Sequence, residues 1–391
     1  MTFCRRRHPT SSPAAPLEDD DLIAEILLRL PPQPSSLPRV SLTCRRWRLL
    51  VRDPGFLRRF RAHHRSRGAA PVLGFFTEED IGIYFHPTLD PPNRIPLERF
   101  RLQITGRTEN CRIVCCRDGL ALLVNVHPGQ VLVWDPVTGD RRSLLLPPVF
   151  RNMDKFYSGM VLRSAAAAAG DGDRFQFQVV FVRCFKGRNA RAVACVYSSD
   201  TGAWGDLIQT STPLQVLRTH DVATSGSRVG RSLYWSLHGN SSNAILEFDL
   251  DRQNLAVIPL HMEGWIMSAQ GGGLGLVSVL GHTAQLWKRE TDPDGVSTWR
   301  LTKTVHLNKL LPLRSGDRLD IDFADESNML ILGTVDGIGI FTVHTESMQC
   351  KKLPVEFKKI PSVFQPFSSV YTPEMGVGAE HAGAEPLHNI R

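Results

Sequence analysis

Cysteine, glycine, histidine and carboxylate clusters are where this chain could do chemistry, and each lacks a necessary part. The stretch "CRIVCC" gathers Cys111, Cys115 and Cys116. A structural zinc site needs thiols in C-x₂-C-type spacing plus a second pair of ligands, and this stretch has neither. We expect these thiols to be small buried side chains on a strand. "GGGLG" at Gly271–Gly275 has no Lys-Ser/Thr to engage a phosphate and no helix after it, so it reads as a turn. His63 and His64 are neighbours, and adjacent side chains on a helix diverge instead of chelating. Asp320, Asp322 and Asp325 could converge, but a strand and its turn account for them. There is no G-x-S-x-G, H-E-x-x-H or kinase signature. The expectation is a non-catalytic chain with no catalytic residues, metal ligands or cofactor.

The elements that would position these residues fall into two halves of different period. From Leu17 to about Arg67 the apolar residues recur at helical spacing. Leu22, Ile23, Ile26, Leu27 and Leu30 form one stripe, "EDDD" before them offers an N-cap, and Pro31-Pro32 ends the helix. A second helix is expected after Ser36, with Leu37, Val40, Cys44, Trp47 and Val51 on its inner face. Asp53-Pro54 announces a third, short helix carrying Phe56, Leu57 and Phe60. Three short helices in so few residues cannot bury all that apolar surface by themselves. An aliphatic helix face left over is a docking surface for another protein.

These residues resemble the F-box, the helical module that docks on the Skp-type adaptor of SCF ubiquitin ligases. The likeness rests on the run D-L-I-x-E-I-L-x-R-L-P (Asp21 to Pro31), then Leu37, Arg39-Val40, Cys44-x-x-Trp47 and the closing D-P-x-F from Asp53 to Phe56. It implies an adaptor-binding set of Leu17, Leu22, Ile23, Ile26, Leu27, Leu30, Pro31, Leu37, Val40, Cys44 and Trp47. The family's Leu-Pro opening would fall at Glu18-Asp19, where this chain instead offers Pro16-Leu17, shifted upstream.

From Pro71 onward, short apolar or alternating runs such as "VLGFF", "QVLVW", "FQFQVVFVRCF", "SLYWSL" and "MLILGTV" read as strands punctuated by Gly, Pro, Asn and Asp. A loose repeat joins strand, turn, strand ending in an aromatic-Asp pair, turn and strand. Trp134-Asp135 and Phe248-Asp249 hold the same place in two copies. Copies spaced about 40–65 residues apart fit propeller blades; six is the expected count, with an irregular β-sandwich as the alternative. "FSSVYTPEM" is expected to supply the strand that closes the ring. Ala165–Ala169 with the following "GDGD" reads as a loop insertion. Trp134, Trp235 and Trp287 fall on strands and should pack blades, while Trp265 and Trp299 are candidates to line a target surface. This half resembles the F-box-associated propeller or kelch-like domains of plant F-box proteins.

The fold expected is therefore α+β and multidomain: a disordered leader over 1–15, a three-helix F-box over 16–67, an all-β propeller over 71–375, and a disordered tail over 376–391. The net charge of +7 is uneven, since residues 1–70 hold 14 arginines, no lysine and 6 acids. Three function classes compete. The first is the substrate-recognition subunit of an SCF ligase, bound through the adaptor to cullin and RING subunits. It would hold a protein target of unknown identity and act by proximity alone. The second is a nucleic-acid binder using the arginines; against it, they share helices with the apolar face and no aromatic platform interleaves them. The third is an enzymatic kelch-type propeller, which would need convergent ligands or an acid–base pair. No apolar run reaches the roughly 18 residues that span a bilayer, so no membrane partner is expected. The scattered cysteines and the absence of an apolar h-region near the start suggest cytoplasm or nucleus.

Overall fold

The structure, a computed structural model, describes residues 19–79, 82–102, 111–125, 129–151, 157–164, 175–185, 191–210, 221–238, 243–313, 319–334, 339–354 and 364–372. Leu17, the leader, the tail and the Ala165–Ala169 insertion lie outside them.

The N-terminal segment folds into four helices, α1 (Asp20–Leu27), α2 (Ser36–Ser41), α3 (Arg45–Leu50) and α4 (Pro54–Ser66). Asp19 caps α1, its carboxylate accepting from the N–H groups of Asp21 at 2.9 Å and Leu22 at 3.4 Å. The helix stops at Leu27, short of the Pro31-Pro32 pair, and residues 28–30 continue only as turns. The expected second helix is two helices. Leu42 and Thr43 turn the chain, and Cys44, in extended backbone, caps α3 by accepting from the Trp47 N–H. The Asp53-Pro54 signal does start a helix, with Asp53 accepting from Phe56 N–H at 2.7 Å, but α4 runs for 13 residues instead of one short turn or two.

The β half is a ring of six sheets. The chain enters through β1 (Val72–Glu79) and β2 (Gly82–Pro87). It then builds a blade from β3 (Cys111–Arg117), β4 (Leu120–Asn125), β5 (Gln130–Trp134) and β6 (Arg141–Leu145). The next comprises β7 (Tyr157–Arg163), β8 (Phe177–Phe185), β9 (Arg191–Ser198) and the short β10 (Ala203–Trp204) and β11 (Ile208–Gln209). Then come β12 (Asp221–Val229) to β15 (Asn254–Leu260) through β13 (Ser232–His238) and β14 (Asn243–Asp249). The following blade holds β16 (Trp265–Ser268), β17 (Leu274–Leu280), β18 (Thr283–Thr291) and β19 (Ser297–His306). The fifth holds β20 (Leu319–Ala324), β21 (Met329–Thr334), β22 (Ile340–His344) and β23 (Cys350–Lys352). Finally β24 (Phe364–Ser368) pairs antiparallel with β1, completing a three-stranded sheet with β2. The closing strand thus starts three residues upstream of "FSSVYTPEM", whose first two residues end it. β24 lies against β3 and β20, β3 against β7, β7 against β12 and β12 against β16, so the innermost strands, the first of five blades and β24 of the sixth, face a common axis.

The repeated aromatic-Asp pair has a physical cause. Asp135 Oδ1 accepts from the N–H groups of Val137 and Thr138 at 3.0 and 3.2 Å, and Asp249 Oδ1 accepts from Asp251 and Arg252 at 2.8 and 2.9 Å. Each aspartate nucleates the turn into its blade's last strand, as Asx side chains do. The aromatic before it fills the blade core, where Trp134 and Phe248 are buried.

An ion network binds blades at the end of the ring where the first strands finish. Arg117, buried at the end of β3, pairs with Asp325 beyond β20 and lies 3.9 Å from Glu326. Asp325 also accepts from the Arg228 N–H of β12 at 3.0 Å, and Glu326 from the Asp118 N–H at 2.7 Å. Burial alone would lower the Arg117 pKa, but the carboxylates of Asp325 and Glu326 override it and hold the group above its ordinary value. Burial is also the chief reason the Glu326 carboxyl is pushed up to about 7 from 4.5, against the attraction of Arg117. A carboxyl that binds its proton more tightly folded than unfolded stabilises fully below pH 4.5 and loses that contribution as pH rises through 7. Glu326→Gln removes this titration and keeps an acceptor for Asp118. Its stability relative to the parent should therefore be higher at pH 8 than at pH 5, measured as the shift in urea midpoint at each pH.

Candidate functional site

The helices of the N-terminal segment sit on the same end of the ring. Their core contains Ile23, Leu27, Leu28, Leu37, Val40, Val51, Phe56 and Phe60, and also Val370 from just past β24. Polar contacts reinforce the seat: Arg61 Nη1 donates to Thr372 Oγ1 at 2.8 Å, and the Ser35 N–H donates to Asn93 Oδ1 at 3.1 Å. Part of the apolar surface that the sequence reading assigned to an outside partner is therefore covered by the protein itself.

This core divides the expected adaptor-binding residues. Ile23 is 1 % exposed and Leu27 2 %, with Leu37 and Val40 also buried; these four hold the helices together. Leu22 and Ile26 are 40 % and 46 % exposed, one turn apart on the outer side of α1. Pro31 and Cys44 are exposed, and Leu30 and Trp47 are half-buried at the margin of the core. Leu42 and Leu49, not anticipated from sequence, are the most open aliphatics of the segment. Their signal was concealed because a continuous helix over 37–51 would have placed them differently from the broken pair observed. Arg46 Nε bonds Asp20 Oδ1 at 2.7 Å and Arg59 Nη2 bonds Glu25 Oε1 at 2.6 Å, fastening α3 and α4 to α1 on either side. The candidate site is the set of exposed aliphatics on this segment, Leu22, Ile26, Leu42 and Leu49, among exposed arginines such as Arg45 and Arg48.

The other chemical candidates resolve into structure. Cys115 and Cys116 are buried in β3; burial pushes the Cys115 thiol up to about 12 and the Cys111 thiol up to about 11, so neither offers a thiolate. His64 is enclosed, its ring edge-on to Phe60 at 4.6 Å, and His63 is turned 81° to it. Burial pushes the Asp322 carboxyl up to about 6, while Asp325 is committed to Arg117. Gly271, Gly272 and Gly273 all have positive φ in the β16–β17 turn. No group of three potential metal ligands occurs among the described residues. Trp265 and Trp299 pack against blade cores, like Trp287. A cavity of about 560 Å³ beside β2 is lined mainly by apolar side chains including Ile83, Phe85, Leu97 and Phe100, with Glu98 and Arg101 among its polar groups. No helix among the described residues is long and apolar enough to cross a membrane.

Comparison with known proteins agrees with this division. Residues 19–59 match the F-box domain, and residues 112–349 match the β-propeller of F-box protein AT5G49610-like proteins. The putative F-box/kelch-repeat protein At3g17280 of Arabidopsis thaliana is 23 % identical over 260 residues, covering 62 % of this chain and 60 % of that protein. The putative F-box protein At3g16210 of the same plant is 24 % identical over 248 residues, again 62 % and 60 %. The matches thus span about 60 % of the length of these relatives.

Burial predicts unequal responses on one helix. Leu27→Ala should cost about 2–5 kcal/mol, as buried leucines do. Ile26→Ala should cost less than about 1 kcal/mol. Urea unfolding of the two variants checks the assignment, and comparable losses would contradict it. From its four helices to its ring of six sheets, this chain belongs to the plant F-box proteins that carry an AT5G49610-like β-propeller.

Proposed function

We propose that this protein is the substrate-recognition subunit of an SCF-type ubiquitin ligase. It docks on a Skp-type adaptor, and through it on cullin and RING subunits, by way of the exposed Leu22, Ile26, Leu42 and Leu49. The observation that carries this reading is the exposure of those four aliphatics on a segment matched to the F-box, whose remaining aliphatics are buried or half-buried. Exposed leucine and isoleucine are costly in water, at roughly 1.5–3 kcal/mol each if fully buried elsewhere, and a partner's helices would recover part of that.

The helices occupy one end of the ring, so a protein target is assigned to the opposite end, where the blades' other connections lie. The chain then acts in the cytoplasm or nucleus by raising the effective concentration of a target lysine at the ligase, and contributes no chemistry of its own. Several arginines have structural duties within the segment, Arg46 on Asp20, Arg59 on Glu25 and Arg29 on Glu25, so nothing favours a nucleic-acid reading over this one.

The test is co-purification of the full chain with a Skp-type adaptor. Ile26→Asp and Leu49→Asp should each leave the melting transition in place and weaken adaptor binding by about 30-fold or more, because a carboxylate would be desolvated in the contact. Val40→Asp, by contrast, should unfold the helical segment. Folded Ile26→Asp and Leu49→Asp proteins that bind the adaptor as the parent does would refute the proposed docking surface.

A further inference from the structure

Five of the six sheets in the ring hold four or five strands, whereas the sixth, ordered β2-β1-β24, holds three. β24 is its innermost strand, so the place that a fourth strand takes in the other blades lies beyond β2. The ladder shows which groups face that place. The Thr88 N–H donates to the Leu73 carbonyl at 3.1 Å, continuing the register that sets Gly74 opposite Pro87. Bonded pairs alternate along an antiparallel ladder, so His86, Tyr84 and Gly82 direct their backbone groups to β1. The N–H and carbonyl groups of Ile83 and Phe85, and the carbonyl of Pro87, therefore point outward at intervals of about 6.8 Å. Among the described residues no group donates to them or accepts from them.

Outer edges elsewhere in the ring are blunted by charge, brevity or proline. β6 carries Arg141 and Arg142, β19 carries Arg300 and Lys303, and β23 carries Lys351 and Lys352. β10 and β11 are two residues each, and β15 has Pro259 before its last residue. β2 reads Gly-Ile-Tyr-Phe-His-Pro, with no Lys, Arg, Asp or Glu, and its proline comes last. The cavity of about 560 Å³ follows this edge: every residue from Gly82 to His86 lines it, together with Leu97, Phe100 and Leu102 of the segment after β2. Phe85 and Phe100 are buried and meet edge-on at 4.8 Å, whereas Leu97 is 57 % exposed. The charged residues lining the cavity, Glu98 and Arg101, are of opposite sign, so it suits an apolar side chain.

We propose that an extended peptide segment of a target protein adds to β2 as the fourth strand of this blade, with an apolar side chain seated in the cavity. The occupant is a strand for two reasons. An extended main chain presents donors and acceptors in the alternation that Ile83, Phe85 and Pro87 offer, and strands fill the equivalent place in the sister blades. Pro87 has no N–H, so the pairing stops there and the added strand is short. It leads away from the helices, because β1 leaves them at Val72 and its far end, Glu79, is paired with Gly82. That the partner is a target rests on the receptor function proposed above; the strand site does not.

The experiment selects phage-displayed random linear peptides on the full chain without adaptor, then measures the selected peptide, made synthetically, by fluorescence anisotropy. N-methylation of its alternate amides should weaken binding by about tenfold or more, through loss of main-chain hydrogen bonds. Leu97→Asp, at an exposed position, should also bind about tenfold more weakly, while Ile26→Asp should bind as the parent does. Bound peptide should slow hydrogen exchange over residues 82–87 and leave β15 unchanged. Failure to select any peptide would overturn the proposal, as would a peptide indifferent to N-methylation and to Leu97→Asp, or protection outside residues 82–87. A dimer of the parent that Leu97→Asp dissociates would overturn it as well, since a second copy would then hold the edge. Should Leu97→Asp fail to fold, N-methylation and hydrogen exchange on the parent decide. Because the adaptor is absent, none of these results depends on the docking test; peptide binding by a chain that fails that test would leave the strand site standing and remove the ligase.

Discussion

The antiparallel pairing of Val72–Thr77 with Phe364–Ser368 is the contact on which the rest of the molecule depends. It joins residues almost 300 positions apart in the sequence and closes the ring by building its sixth sheet from both ends of the β half. It also carries the chain end back beneath the helices, so that Val370 enters their core and Thr372 meets Arg61. Ring closure and helix seating are therefore one event. A small helical domain that would be marginal alone gains its missing contacts from the last strand of the larger one.

That seating explains why the apolar stripe of α1 has two fates. Ile23 and Leu27 turn inward with Phe56, Phe60 and Val370, whereas Leu22 and Ile26 turn outward. A wide apolar stripe is ambiguous until its neighbours are placed, since one part can serve cohesion and the other recognition. Here the separation is by a single helical step, and the outward pair is exposed as Leu42 and Leu49 are.

Charge follows the same geometry. The arginines of the helical segment face an end of the ring furnished with Asp118, Asp135, Asp325 and Glu326. Within the ring those acids are largely engaged by Arg117 and Arg163, which link blades. Asp135 connects both layers of organisation: it shapes its own β-turn, holds Arg163 and attracts Arg65. One side chain thus ties a local turn, a blade contact and a domain contact together.

Much of this was legible in the residues. Periodicity separated the helical from the β half, Asp53-Pro54 marked the start of α4, and the aromatic-Asp pairs marked blade turns, because each depends on interactions within a few residues. The break between α2 and α3 was concealed, since Cys44 and Trp47 suit the inner face of an unbroken helix as well as they suit a cap and its following turn. Sequence by itself determined the two periods, the blade grammar and the uneven charge. Only tertiary structure decided which aliphatics face outward, which acids meet Arg117 and Arg65, and that residue 370 completes the helical core. Those outcomes depend on long-range pairing, and a residue's type records its affinity for burial but not the neighbour that will cover it.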